Sequence, residues 1–319
     1  MSAVAEPALP QLQSVLAPAA GAADTIASLS WVLFVGAAVI FTCVMGLLGR
    51  ALSRPAAGRP VPPMLWILGG GLIFPLLVLV SLFVYSSWRT PGSLVVPPAG
   101  ALIVGITAHM WWWEVRYRDP VSGQDITLAN ELHLPVGRPV WLGLNSPDVI
   151  HSFWVPALAG KVDMVPGRVN HLLVQASQAG VYRGQCAEFC GEQHARMALH
   201  VVAQPPADFQ AWLAAQARPA AEPGNAPLLE RGQQAFLTQR CNACHNVRGV
   251  AGEGRLGPDL THVGSRLYLG AGTLHNQAGA IAHWVADVQA IKPGARMPSS
   301  GDMDAATRDA LGAYLEHLQ

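Results

Sequence analysis

Cys186-Ala187-Glu188-Phe189-Cys190-Gly191-Glu192-Gln193-His194-Ala195-Arg196-Met197 sets two thiols, an imidazole and a thioether within twelve residues. A tight loop through this stretch would aim every soft donor at one small volume. Thiolate, imidazole and thioether suit copper or zinc far better than calcium or magnesium. The same spacing also fits one buried stripe of a helix, although Gly184 and Gly191 interrupt such a helix. A Cys186–Cys190 disulfide and a Cys2His2 zinc site completed by a distant histidine stay open on spacing alone.

The flanking sequence places this loop in a β-domain. From Pro91 to Gln204, short alternating or apolar runs are separated by Gly, Pro, Asn and Asp. The pattern predicts strands over Leu102–Ala108, Trp111–Arg118, Ile126–Leu134, Pro139–Leu144, Arg168–Gln175 and Ala198–Ala203. Strands at this spacing, without helical patterns between them, predict an all-β sandwich or barrel. A further histidine, His151, follows the turn formers Ser146-Pro147-Asp148, where sandwich loops gather. With Cys186, Cys190, His194 and Met197 it completes a set able to hold two coppers bridged by two thiolates. A single blue-copper site needs only one cysteine. Upstream, His109-Met110-Trp111-Trp112-Trp113 puts indoles on both faces of a strand, serving as core and as outward-facing aromatics.

Toward the N-terminus, Ile26–Leu48 and Met64–Tyr85 are uncharged and long enough to span a bilayer. The first lacks a basic n-region and is too long for a signal-peptide h-region. Arg50, Arg54 and Arg59 lie between the spans, whereas residues 1–49 hold no Lys or Arg. The positive-inside rule puts that loop in the cytoplasm, with both termini outside. No ionisable residue lies inside either span, so an anchor is expected rather than an ion path. Across 319 residues, 20 basic side chains balance 20 acidic ones. With no basic run, nucleic acid is not an expected partner.

Beyond a short Pro-initiated helix over Pro206–Ala217, residues Arg218–Pro227 read as a flexible linker. A helical run, Leu228–Gln239, then leads into Cys241-Asn242-Ala243-Cys244-His245. This C-x-x-C-H motif is a strong signal for covalent c-type haem, with thioethers to Cys241 and Cys244 and His245 on the iron. A thioredoxin-like dithiol would need a βαβ setting, and none is read here. The Pro/Gly loop Lys292–Pro298 would present Met297 as the sixth ligand. Met303, His262, His275 and His283 are the alternatives.

Taken together, these stretches carry a resemblance. The 186–197 loop, Asp148–Phe153, Asp163–Arg168, His109–Trp113 and the two spans resemble cytochrome c oxidase subunit II, over roughly residues 22–215. The C-terminal part resembles a class I cytochrome c, including Gly257-Pro258-Asp259-Leu260 and a final helix over Ala305–Leu318. The resemblance implies a two-helix transmembrane hairpin, an all-β cupredoxin sandwich and an all-α cytochrome c domain. The expected divisions are an outer segment (1–25), hairpin (26–90), cupredoxin domain (91–217), linker (218–227) and cytochrome c domain (228–319).

It also implies binuclear copper held by His151, Cys186, Cys190, His194, Met197 and the Glu188 carbonyl. The Glu188 side chain would help bind magnesium shared with the catalytic subunit, and electrons would enter the copper at Trp111. The expected function is the electron-accepting subunit of a haem–copper terminal oxidase in a bacterial inner membrane, with its redox domains on the periplasmic side. Its expected partners are catalytic subunit I, other membrane subunits and a cytochrome or quinol-dehydrogenase-complex donor. One departure stands out: Arg59-Pro60-Val61-Pro62-Pro63-Met64 lacks the acid that the family commonly has before the second span for proton uptake. The copper subunit of a nitric oxide reductase is a rival reading. A membrane-tethered copper carrier is another, opposed by the haem motif.

Overall fold

The computed structural model describes residues 13–53, 62–90, 92, 96–252 and 254–319. Arg54 and Arg59, on which the expected orientation partly rests, lie outside the described residues. So do residues 59–61 of the departing stretch, residues 1–12 of the N-terminal segment and Pro91, the expected start of the β-domain. The chain divides into two compact units, one of them Asp24–Val96 and the other the remainder.

The first unit holds two long helices, α1 (Gly21–Ser53) and α2 (Pro63–Arg89). At 1.5 Å per residue, each exceeds the ~30 Å of bilayer hydrocarbon. Their large apolar side chains, among them Leu33, Phe41, Leu77 and Phe83, are exposed, as suits helices in contact with lipid. Over Trp66–Ile73, α2 widens to π-helical turns around Gly69-Gly70-Gly71, and Pro75 follows. Glycine's wide backbone freedom weakens the hold on the tighter α-ladder, and proline removes one of its donors. These helices fit a membrane-anchored protein.

In the second unit, a sandwich is built from β1 (Leu102–His109), β2 (Trp112–Arg118), β3 (Asp125–Ala129), β4 (Glu131–Pro135), β5 (Val140–Asn145), β6 (His151–Trp154), β7 (Val162–Met164), β8 (Asn170–Val174), β9 (Gly180–Cys186) and β10 (Ala198–Gln204). One sheet runs β3-β2-β1-β5-β8 and the other β4-β10-β9-β6-β7. Ile106, Trp113, Tyr117, Leu142, Phe153 and Leu199 fill the space between them. The N-terminal segment joins this core: Ala20 pairs with Ala176, and both Ala19 and Ala20 are buried.

The expected strand Ile126–Leu134 is two strands. Asn130 takes a left-handed φ of 61° and moves the chain from one sheet to the other. Its side-chain oxygen accepts from the Trp113 N–H at 2.9 Å, a local bond that lets asparagine hold this conformation. Strands β6, β7 and β9 go beyond the sequence pattern. Gly180 and Gly184 make β9 read as loop, yet it pairs with β10 on one side and β6 on the other.

After α3 (Pro206–Gln216) come α4 (Pro227–Thr238), the ribbon β11–β12 (Tyr268–Leu269, Leu274–His275), α5 (Ala280–Ala286), α6 (Val288–Ile291) and α7 (Ala305–His317). This domain is helical with one small antiparallel ribbon. Phe236, Ile281, Leu311, Tyr314 and Leu315 form its core. The linker is not free coil along its length. The Ala220 N–H donates to the Arg248 carbonyl at 2.9 Å, and the Arg218 and Glu222 carbonyls meet His262 and His317 at 3.1 Å.

Candidate metal centre

Strand β9 ends at Cys186, and the chain then loops through Cys190 and a short turn, His194–Arg196, before Met197 and β10. Pairing of β6 with β9 brings His151 alongside. The Cys186 and Cys190 sulfurs lie 3.8 Å apart and are not joined. His151 Nδ1 is 3.8 Å from Cys186, His194 Nδ1 is 3.6 Å from Cys190, and the Met197 sulfur is 3.8 Å from Cys190. The Glu188 carbonyl lies 3.1 Å from Cys186 Sγ. His151, Cys186, Cys190 and Met197 are all buried. Two cysteine sulfurs, two imidazoles and a thioether this close together match a soft, redox-active metal.

The loop is braced from outside. His151 Nε2 lies 2.9 Å from Asp148 Oδ1, which leaves Nδ1 facing the sulfurs. A carboxylate on the far ring nitrogen orients the ring and raises its basicity as a ligand. Burial works against the Asp148 charge. Hydrogen bonds from His151 and from the backbone N–H groups of Val149 and Met110 outweigh it and hold the carboxyl below its ordinary range. Sequence reasoning missed this role, although Asp148 stands three residues before His151.

Burial likewise opposes charge on His151, but Cys186 and Asp148 together raise its pKa. Of the two sulfurs, Cys186 carries the thiolate. Contact with Cys190 is the main cause, and despite burial its pKa is pushed down to about 3. The Cys190 thiol is pushed up by the same contact and by burial. A metal binding here would need both sulfurs deprotonated and would therefore displace a proton.

Trp111 is half-buried in the β1–β2 turn, and its indole N–H donates to the Cys190 carbonyl at 2.8 Å. The Glu188 side chain points to a partly exposed position, with Lys161 Nζ at 3.4 Å.

The second ligand set lies on the helical domain. Cys241 and Cys244 flank one turn after α4, and both thiols are free. His245 Nδ1 lies 2.8 Å from the Pro258 carbonyl. A carbonyl can only accept, so Nδ1 carries the proton and Nε2 keeps its lone pair for a metal. Burial lowers the His245 pKa, which keeps the ring neutral. Met297 and Met303 both pack half-buried against this domain's core. Among the histidine alternatives, His262 has both ring nitrogens at carbonyl oxygens, while His275 and His283 are exposed. The two thiols and the neutral imidazole fit a covalently held haem.

The two ligand-bearing domains touch. Leu267 N–H donates to the buried Glu131 carboxylate at 2.9 Å, and Ala198 N–H to the Ala271 carbonyl at 3.0 Å. The His200 ring stacks on Tyr268, centroids 4.2 Å apart and planes at 8°. Sequence reasoning did not find these contacts, because each joins residues tens of positions apart.

Comparison with known proteins agrees with this division. Residues 102–204 match the family model "Cytochrome C oxidase subunit II, periplasmic domain", and residues 229–319 match "Cytochrome c". Cytochrome c oxidase subunit 2 of Alkalihalophilus pseudofirmus is 37% identical over 216 residues, covering 68% of this chain and 61% of the relative. That of Bacillus subtilis is 30% identical over 232 residues, covering 69% and 63%. A crystal structure of the periplasmic domain of subunit II of the Bradyrhizobium japonicum cytochrome oxidase is 29% identical, with a TM-score of 0.34, covering 37% of this chain and 95% of that one. The chain spans about three fifths of the length of the first curated relatives it matches. These families imply copper and haem c in general. Residues 102–204 are thus similar to the cytochrome c oxidase subunit II periplasmic-domain family and residues 229–319 to the cytochrome c family, joined in one chain.

Proposed function

We propose that the chain is the electron-accepting subunit of a haem–copper terminal oxidase, passing electrons from an external donor to an oxygen-reducing catalytic partner. The observation that carries this reading is the cluster of His151, Cys186, Cys190, His194 and Met197, in the same chain as a C-x-x-C-H haem motif. Bound there, two coppers and one haem c would supply reversible one-electron transfer.

In this reading Cys186, Cys190, His151 and His194 would hold the copper, with Met197 and the Glu188 carbonyl as weaker ligands. The residues around them supply rigidity: Asp148 fixes His151, and Trp111 holds the Cys190 carbonyl. Rigid ligands keep the oxidised and reduced geometries alike, which lowers the reorganisation needed for each electron. On the helical domain, Cys241 and Cys244 would attach the haem, and His245 and Met297 would serve its iron. The soft thioether raises the potential, as suits a carrier. The partly exposed Glu188 side chain is available to a magnesium ion at the boundary with the catalytic subunit.

The two apolar helices would anchor the chain in a bacterial inner membrane, redox domains outward, beside catalytic subunit I and other membrane subunits. The donor is a cytochrome or a quinol-oxidising complex.

The purified complex should consume oxygen with an added electron donor. The copper signal should show seven hyperfine lines, the pattern of one electron shared by two coppers. A four-line signal, zinc as the only metal, or consumption of nitric oxide in place of oxygen would overturn the reading.

A further inference from the structure

The centre of the junction between the sandwich and the helical domain is a lysine. Lys292, 4% exposed, follows α6 and begins the turn that leads to Met297. Its Nζ donates to three backbone carbonyls: Trp111 at 2.9 Å, Arg196 at 2.8 Å and Gly270 at 2.9 Å. Trp111 belongs to the β1–β2 turn and Arg196 to the loop between Cys190 and Met197. Only Gly270 lies in the lysine's own domain.

An ammonium has three N–H donors, and here each finds one acceptor. Burying that charge with two donors unmet would be costly, so the helical domain alone gives this side chain no stable buried site. It needs the two sandwich carbonyls.

The surroundings converge on the same loop pair. Arg196 donates to the Ile291 carbonyl at 2.8 Å, and the Gln193 amide donates to the Pro293 carbonyl. At Gly294, φ is 77°, and the Glu192 carboxylate occupies the space a Cβ would take, so the loops approach as only glycine allows. Residues 192–196 therefore grip residues 291–294 through side-chain bonds to main-chain carbonyls.

We propose that Lys292 is the positioning residue that latches the helical domain onto the sandwich, holding the Met297 loop in one register against the Cys190–Met197 loop. Its consequence for electron transfer rests on the function proposed above, whereas the latch itself is a property of the chain. The linker's Arg218, Ala220 and Glu222 bond to the helical domain itself, which leaves the docked geometry to the junction.

The test uses the full-length chain in detergent and reads hydrogen–deuterium exchange at the Ala198 and Leu267 amides, whose acceptors lie across the junction. Lys292→Met should speed exchange at both by about tenfold or more, the size expected on losing a charged hydrogen-bond donor. Amides inside β1, β5 and α7 should keep their protection. In the copper- and haem-loaded chain, flash-initiated transfer between the centres should slow by a similar factor, with both metal spectra unchanged.

Unchanged exchange at Ala198 and Leu267 overturns the latch. Faster exchange with an unchanged transfer rate overturns the positioning role. If wild-type chain binds no copper or transfers no electron, the proposed function falls, while the exchange result still judges the latch. Should Lys292→Met fail to fold, Lys292→Arg serves. It keeps the charge, but its planar fork cannot match three carbonyls arranged around one nitrogen, so the same readouts apply.

Discussion

The Trp111 indole and the Cys190 carbonyl are joined by a 2.8 Å hydrogen bond that spans 79 positions of sequence and ties the β1–β2 turn to the copper-type loop. Gly191, the next residue, takes φ 109°, and a Cβ there would lie 3.1 Å from the Trp111 ring. The ring thus covers the loop at the point where its backbone takes a conformation that side chains rarely adopt.

Gly191→Ala should therefore destabilise the sandwich by about 1–3 kcal/mol, the usual cost of a side chain in sparsely allowed backbone space. Chemical unfolding of the chain prepared without copper measures this independently of metal binding. A variant as stable as wild type would mean that the loop relaxes around the new methyl.

Asp148→Asn keeps the shape beside His151 and removes the charge. Copper affinity should fall by about 10–100-fold, the usual effect of losing a partner that orients a ligating histidine. Competition with a copper chelator reads it. The fold should persist, because Asp148 lies at a partly exposed turn.

Met297→Ala should leave the haem covalently attached through Cys241 and Cys244 but lower its potential, since the soft sixth ligand is lost. Met303→Ala should change neither spectrum nor potential. If the effects are reversed, Met303 holds the iron.

His200, 2% exposed and stacked on Tyr268, gives the junction a pH dependence. Burial pushes its pKa from 6.5 down to about 4, with Glu131 opposing and Arg183 adding to the shift. The folded state therefore favours the neutral ring. Its stabilisation is complete above pH 6.5 and is lost as the pH falls from 6.5 toward 4. At 1.36 kcal/mol per unit the loss is on the order of 3 kcal/mol. His200→Phe keeps the stacked ring without titrating, so the wild-type-minus-variant difference in unfolding free energy should shrink steadily below pH 6.5. A difference that is flat from pH 8 to 4 would show that the His200 ring takes up its proton as readily in the folded chain as in the unfolded one, and so reaches solvent.

Local chemistry was legible in the sequence because it depends on short spacing. Cys186, Cys190, His194 and Met197 lie within one loop, and Cys241, Cys244 and His245 within one turn. The two apolar spans and the alternating strands follow from side-chain period alone, which solvent reads residue by residue. Tertiary structure decided what links distant parts of the chain. Strand β9 forms despite its two glycines because β6 and β10 pair with it from both sides, an effect that outweighs weak local propensity. Asn130 splits one predicted strand because its side chain can hold a left-handed turn against Trp113. Asp148 becomes the brace of His151 only after folding buries the His151 ring beside it. Lys292, one of many surface-type residues in sequence, becomes the centre of a junction because Trp111, Arg196 and Gly270 bring their carbonyls to a single point. No local pattern encodes that point, since a buried charge is tolerated only where the whole fold supplies its acceptors.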